Sequence, residues 1–238
     1  MDITYRAANF SIKRIMRLLC RTDDSKWAKI PEQGPLIMAV NHINFVEIPI
    51  MYTHLMPRPI TAFVKSVGWD KPFTRWVFTL WGGIPLQRGE ADMTAMRAGL
   101  AALDEGKILA IAPEGKRTGN GKLIEGHPGI VTIALKSKAP ILPVVFFGQE
   151  HLWPNIKRLR RTDFNMIVGQ PFTLDRGGAP ATKQIRRQMT DEIMFQLARL
   201  LPAQNRGVYA DLPAATEKYL RFLPQTLTVD GRRLTVDD

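Results

Sequence analysis

Leu36-Ile37-Met38-Ala39-Val40-Asn41-His42-Ile43-Asn44-Phe45-Val46-Glu47 is the stretch on which the fold class turns. Its first five residues are apolar and uncharged, the pattern of a strand buried on both faces. A polar turn follows, then a helix expected over about Val46 to Leu55. A second run, Ile108-Leu109-Ala110-Ile111-Ala112, leads in the same way into Pro113-Glu114-Gly115-Lys116-Arg117-Thr118. Twice, a buried strand runs into a turn that carries ionisable groups.

Outward from these two runs the pattern repeats. Ile60–Lys65, Ile84–Leu86 and Ile141–Phe147 read as further strands, the last an interior one because it holds no charge. Asn165–Val168 reads as another. Helical segments are expected over Trp69–Trp81, Asp92–Glu105, Gly129–Ser137 and Thr182–Leu201. Alternating strands and helices imply an α/β fold: a single domain with a central, largely parallel sheet flanked by helices. Such sheets take ligands at the carboxyl ends of their strands. His42, Arg88 and Glu114 each fall just past such an end, so three loops are expected to converge. Near the C-terminus, Thr226–Val229 and Arg233–Val236 flank Asp230-Gly231, a hairpin signal.

Residues 4–20 read as an N-terminal amphipathic helix. Ala7, Phe10, Ile15, Leu18 and Leu19 supply its apolar face, with Arg6, Lys13, Arg14, Arg17 and Arg21 between them. A basic amphipathic helix suits a membrane interface, and it equally suits a lid on the domain's own core. Its cations break any continuous apolar run, so no signal peptide is expected. The longest nearly uncharged apolar stretch, Trp76 to Leu86, falls short of the ~20 residues that cross a bilayer.

The 238 residues are 45% hydrophobic, enough for one sizeable core. A lone cysteine, Cys20, excludes an internal disulfide and suits a reducing compartment. The net charge of +11 favours anionic partners. Basic clusters stand at Lys157-Arg158-Leu159-Arg160-Arg161 and at Lys183, Arg186 and Arg187, each open to reading as a solvated face or a binding surface. No nucleic-acid motif or aromatic platform accompanies them, which argues against nucleic acid. No Cys/His cluster has zinc spacing, no Walker loop is present, and no G-x-S-x-G elbow points to a serine hydrolase.

His42 is the best candidate base, since imidazole accepts protons near neutral pH. Five residues on a regular helix would set Glu47 about 140° away from it. A pair therefore requires His42 in the turn and Glu47 in the helix's first turn, where Pro49 is tolerated. The alternative makes Asn44 an N-cap and Glu47 its capping-box partner. Arg88 follows Gly82-Gly83-Ile84-Pro85-Leu86-Gln87, and a guanidinium grips phosphate bidentately. The Glu114–Thr118 turn places two cations and a glycine where an anion can sit. A base with a carboxylate, beside an anion site, suggests group transfer to a hydroxyl on a phosphorylated molecule.

These blocks resemble the glycerolipid acyltransferase superfamily, of the 1-acyl-sn-glycerol-3-phosphate acyltransferase type. Its NHxxxxD block is matched by Asn41-His42 through Glu47, and its glycine-rich strand ending in arginine by Gly83–Arg88. Its FPEGTRS block is matched by Ala112–Thr118, and its proline-bearing apolar strand by Ala139–Val144. The resemblance spans residues 36–147. It implies that His42 is the general base and Glu47 its orienting acid. It implies that Arg88, Gly115, Lys116 and Arg117 bind the acceptor's phosphate, with Glu114 placing the glycerol part. It implies direct transfer from acyl-CoA or acyl-carrier protein to a lysophospholipid such as 1-acylglycerol-3-phosphate, in phospholipid synthesis. No cofactor and no metal are expected.

Within that reading, residues 1–22 form the amphipathic helix and 23–238 the acyltransferase domain. The protein is expected at the cytoplasmic face of a membrane, as a peripheral protein on an anionic surface. Glu47 stands where the family has aspartate, and Lys116 where it has threonine. The family's larger members carry transmembrane helices, which are not read here. Another lipid acceptor, a lyso-aminolipid or glycolipid, and a non-catalytic anionic-lipid-binding protein are the alternatives.

Overall fold

A computed structural model describes residues 3–87, 92–229 and 232–236. The chain begins with α1 (Ile3–Leu19), β1 (Cys20–Thr22), β2 (Leu36–Val40), α2 (Glu47–His54) and β3 (Ile60–Lys65). It continues with α3 (Pro72–Leu80), β4 (Ile84–Leu86), α4 (Met93–Asp104), β5 (Ile108–Ile111), α5 (Gly129–Ser137) and β6 (Ile141–Phe147). Then come α6 (Leu152–Lys157), β7 (Thr162–Val168), β8 (Phe172–Leu174), α7 (Lys183–Leu200) and β9 (Leu220–Phe222). A separate hairpin pairs β10 (Gln225–Val229) with β11 (Arg232–Val236), and its turn residues Asp230 and Gly231 lie outside the described residues.

The main sheet runs β4-β3-β5-β2-β6-β7-β1. The five strands from β4 to β6 are parallel. β7 is antiparallel to β6, and β1 is parallel to β7. The two-residue period of a strand sorts each side chain to one face. Ile37 and Ala39 of β2 join a core with Leu103 of α4, Ile130 of α5 and Ile193 of α7. Leu36, Met38 and Val40 join the opposite core with Met16 of α1, Ile50 of α2 and Val77 of α3. Burial on both faces is why β2 and β5 read as unbroken apolar runs. Two helices start on side-chain caps: Asp92 accepts from Ala95 N–H, and Thr182 accepts from Ile185 N–H.

The expected α/β architecture is present. Several boundaries move, among them the helix expected from Trp69, which begins at Pro72. The N-terminal helix stops at Leu19, and Cys20–Thr22 pairs with β7, so residues 20–22 belong to the sheet of the main domain. β7 begins at Thr162, three residues before the expected start. β1, α6, β8 and β9 are not foreseen. Each is six residues or shorter, and runs that brief show no period. The apolar residues assigned to one face of α1 also divide. Leu19 is half-buried, while Phe10, Ile15 and Leu18 are exposed; the inward face is Asn9, Ile12 and Met16. Asn9 Oδ1 accepts from the Trp81 indole N–H at 3.1 Å, tying α1 to the end of α3.

Candidate active site

The turn after β2 brings His42 and Glu47 together. His42 Nδ1 lies 3.3 Å from Glu47 Oε2, and the carboxylate is only 1% exposed. That separation is longer than a well-formed N–H···O bond. Glu47 is the first residue of α2, with Val46 as its backbone cap. Oε1 of Glu47 accepts the backbone N–H groups of Ile43 (2.7 Å) and Asn44 (2.9 Å) and the side-chain amide of Gln149 (3.1 Å). Oε2 is buried and has no hydrogen-bond partner. One oxygen is thus saturated, and the other is left for the imidazole. A carboxylate facing Nδ1 selects the tautomer that keeps Nε2 free to accept a proton.

The segment shares features of both expectations and matches the capping box only in part. Glu47 reaches back to orphan amides, as a capping-box acid does, and it also faces His42. Asn44 is not the N-cap. Its Oδ1 accepts the Val46 N–H at 3.0 Å and its amide donates to Gln149 O at 2.7 Å, bracing the turn against the chain that leaves β6.

The turn after β5 lies against the turn after β2. Thr118 N–H donates to His42 O and Gly119 N–H to Ile43 O, both at 2.9 Å. Glu114 lies beneath the turn that carries His42. It is 1% exposed, Oε2 accepts His42 N–H at 2.7 Å, and Oε1 accepts Ile124 N–H at 3.3 Å. Burial pushes its carboxyl up to about 7, against the two backbone hydrogen bonds that draw it down, and the charge of Glu47 adds to the rise. Its position is that of a strut under the His42 turn. The Gly115 N–H donates to Ala112 O at 3.0 Å. The glycine serves the turn: φ is 66°, and a Cβ would meet the His127 ring at 3.0 Å.

Lys116 and Arg117 are exposed on this turn and have no ion-pair or hydrogen-bond partner among the described residues. Arg88 lies outside the described residues. Two further residues build the site from afar. Asn41 donates to Phe146 O and accepts from Phe146 N–H, both at 2.8 Å, so its side chain continues the β2–β6 ladder past Val40. Gln149 is fully buried and follows Gly148, whose φ of 98° is out of reach for other residues because a Cβ would sit 2.2 Å from Asp163 O. No local signal marks Gln149, since its partner is 102 residues away in sequence. Among the described residues, no group of three His, Cys, Asp or Glu side chains is placed to hold a metal ion. No helix among them is long and apolar enough to cross a membrane.

A family model described as Acyltransferase matches residues 22–147, more than half of the chain. The sequence is 25% identical over 158 residues to a chloroplastic 1-acyl-sn-glycerol-3-phosphate acyltransferase of Brassica napus, covering 64% of this chain and 45% of that protein. It is 25% identical over 142 residues to a lyso-ornithine lipid O-acyltransferase of Pseudomonas aeruginosa, covering 53% of this chain and 54% of that protein. The matches thus span about half the length of these curated relatives. The fold is similar to the crystal structure of the 1-acyl-sn-glycerophosphate acyltransferase of Thermotoga maritima, with a TM-score of 0.58 and 21% identity. That likeness covers 82% of this chain and 78% of the other.

Proposed function

The chain belongs to the acyltransferase family, and on that premise we propose that it moves a fatty acyl group from a thioester donor to the free hydroxyl of a lysophospholipid. Acyl-CoA or acyl-carrier protein is the donor, and 1-acylglycerol-3-phosphate is the acceptor. The observation that carries this reading is the Glu47 carboxylate: three donors hold one oxygen, and the other stands 3.3 Å from His42 Nδ1.

In this mechanism Nε2 of His42 takes the hydroxyl proton as the acceptor oxygen bonds to the thioester carbonyl carbon. The carbonyl electron pair moves onto oxygen. The tetrahedral species then collapses, the C–S bond breaks, and the imidazolium returns its proton to the leaving thiolate. An ester and a free thiol result, and no acyl-enzyme forms. Glu47 holds the ring and stabilises the imidazolium. Lys116 and Arg117, with Arg88, meet the acceptor's phosphate. Because the acceptor is a lipid, the protein works as a peripheral protein at the cytoplasmic membrane face, with the exposed Phe10, Ile15 and Leu18 of α1 toward the lipid.

The test is thiol release from acyl-CoA with and without lysophosphatidic acid. Release that depends on the phosphorylated acceptor supports the reading. A second acceptor class is carried by the similarity to a lyso-ornithine lipid acyltransferase, so a lyso-aminolipid forms a third arm. Release with neither lipid acceptor overturns both.

A further inference from the structure

Leu159 is the most exposed large apolar side chain among the described residues, 98% open to solvent. Its backbone is left-handed, with φ at 54°, a region that glycine and asparagine enter far more readily than leucine. Neither packing nor backbone preference accounts for a leucine there. The turn that presents it is well held. Leu159 N–H donates to Ile156 O at 3.0 Å, Arg160 N–H donates to Asn155 O at 2.9 Å, and Arg161 donates to Cys20 O at 2.8 Å. Lys157, Arg158 and Arg160 surround the tip, exposed and without ion-pair partners among the described residues.

The sheet places this turn at the catalytic end of the molecule. β7 runs antiparallel to β6 with Asn165 opposite Phe147, so Thr162 lies past the carboxyl end of β6. His42 leaves β2 at that same end, two residues beyond the Val40–Val144 pair. The helix α6 bridges the two. Near its start, Trp153 is 59% exposed, with its ring 6.0 Å from that of Phe45 in the His42–Glu47 turn. Leu159 follows two residues past the end of α6 at Lys157. Cys20 pairs with Thr162, so the end of α1, with exposed Leu18, reaches this rim as well.

We propose that the Lys157–Arg161 turn docks onto an anionic lipid leaflet. Leu159 enters the headgroup layer, Lys157, Arg158 and Arg160 meet lipid phosphates, and the Phe45–Trp153 pair lies between that contact and His42. This rests on the reading of the acceptor as a lipid, and it assigns a contact separate from α1. A folded protein partner would need a matching pocket for one protruding leucine. A fluid interface accepts an apolar tip ringed by flexible cations without shape complementarity.

The test uses the full chain and vesicles of phosphatidylcholine with or without phosphatidylglycerol. Leu159→Gly suits the left-handed backbone, so the fold is kept. Its binding to anionic vesicles is expected to fall about tenfold, the value of one buried leucine side chain. Thiol release with a short-chain, water-soluble acceptor is expected to stay unchanged. Replacing Lys157, Arg158 and Arg160 by Gln should remove much of the salt dependence of binding. Unchanged vesicle binding by Leu159→Gly overturns the proposal. So does slower turnover with acyl-carrier protein alone, at unchanged vesicle binding, which would mark a protein-docking site. If wild type releases no thiol but Leu159→Gly still loses vesicle binding, the catalytic reading falls and this proposal stands.

Discussion

Oε2 of Glu114 accepts the backbone N–H of His42 at 2.7 Å, joining the turns that follow two adjacent parallel strands, β5 and β2. Burial holds that carboxyl at about 7, well above its ordinary 4.5. Below about pH 4.5 both the folded and the unfolded chain keep the proton, and ionisation exacts no penalty. Between there and about 7 only the unfolded chain ionises, so stability drains away as pH rises. Unfolding by denaturant should therefore show wild type losing roughly 3 kcal/mol relative to Glu114→Gln across that window. A difference that is flat with pH would mean that Glu114 ionises normally.

His42→Ala should lower turnover by about 10²–10⁴-fold with the fold intact, the range for a lost acid–base group. Circular dichroism and thiol release on one preparation check this. A folded variant with near-normal turnover would end the role of His42 as base. Glu47→Gln should be at least as harmful, because an amide NH₂ must face either the Ile43 and Asn44 donors or His42 Nδ1.

Gln149 is expected to act through Glu47. Gln149→Leu removes one of three donors to the carboxylate's inner oxygen. A hydrogen bond to a charged group is worth about 1.5–3 kcal/mol, so kcat should fall about tenfold or more while the acceptor's KM holds. A raised KM at unchanged kcat would mean that Gln149 shapes substrate binding and does not act through Glu47.

Arg117→Ala and Arg88→Ala should raise the KM for a phosphorylated acceptor more than that for the acyl donor. The Lys116→Ala effect should be smaller, since a lysine meets phosphate as a point charge while arginine grips it bidentately. Initial-rate kinetics with each substrate varied in turn decide this. If the donor's KM rises instead, the cations serve the acyl carrier.

The two faces of α1 should respond oppositely to polar substitution. Changing exposed Phe10, Ile15 and Leu18 to Ser should weaken vesicle binding with little loss of thermal stability. Changing buried Met16 to Ser should cost about 2–4 kcal/mol, because it opens the core under β2. Equal stability losses from both would mean that the outer stripe is covered in the native protein.

The sequence by itself determined the layered α/β fold. β2 and β5 are buried on both faces, so their apolar runs are unbroken and legible without any partner. It also put His42 and Glu47 within reach of each other across a turn and a helix start, but left open whether Glu47 faces His42 or only caps the helix. Only the tertiary structure decided what surrounds that pair. Gln149 and Glu47 are 102 residues apart, and His42 and Glu114 are 72 apart. Nothing in the Glu114–Thr118 stretch tells a carboxylate turned outward to a ligand from one turned inward to a backbone amide. The single stripe read on α1 likewise split into two, because 3.6-residue periodicity shows that apolar residues share a face but not which face the sheet will cover. That choice is made by packing against β1, α2 and α3, and packing is written in contacts between segments far apart in the chain.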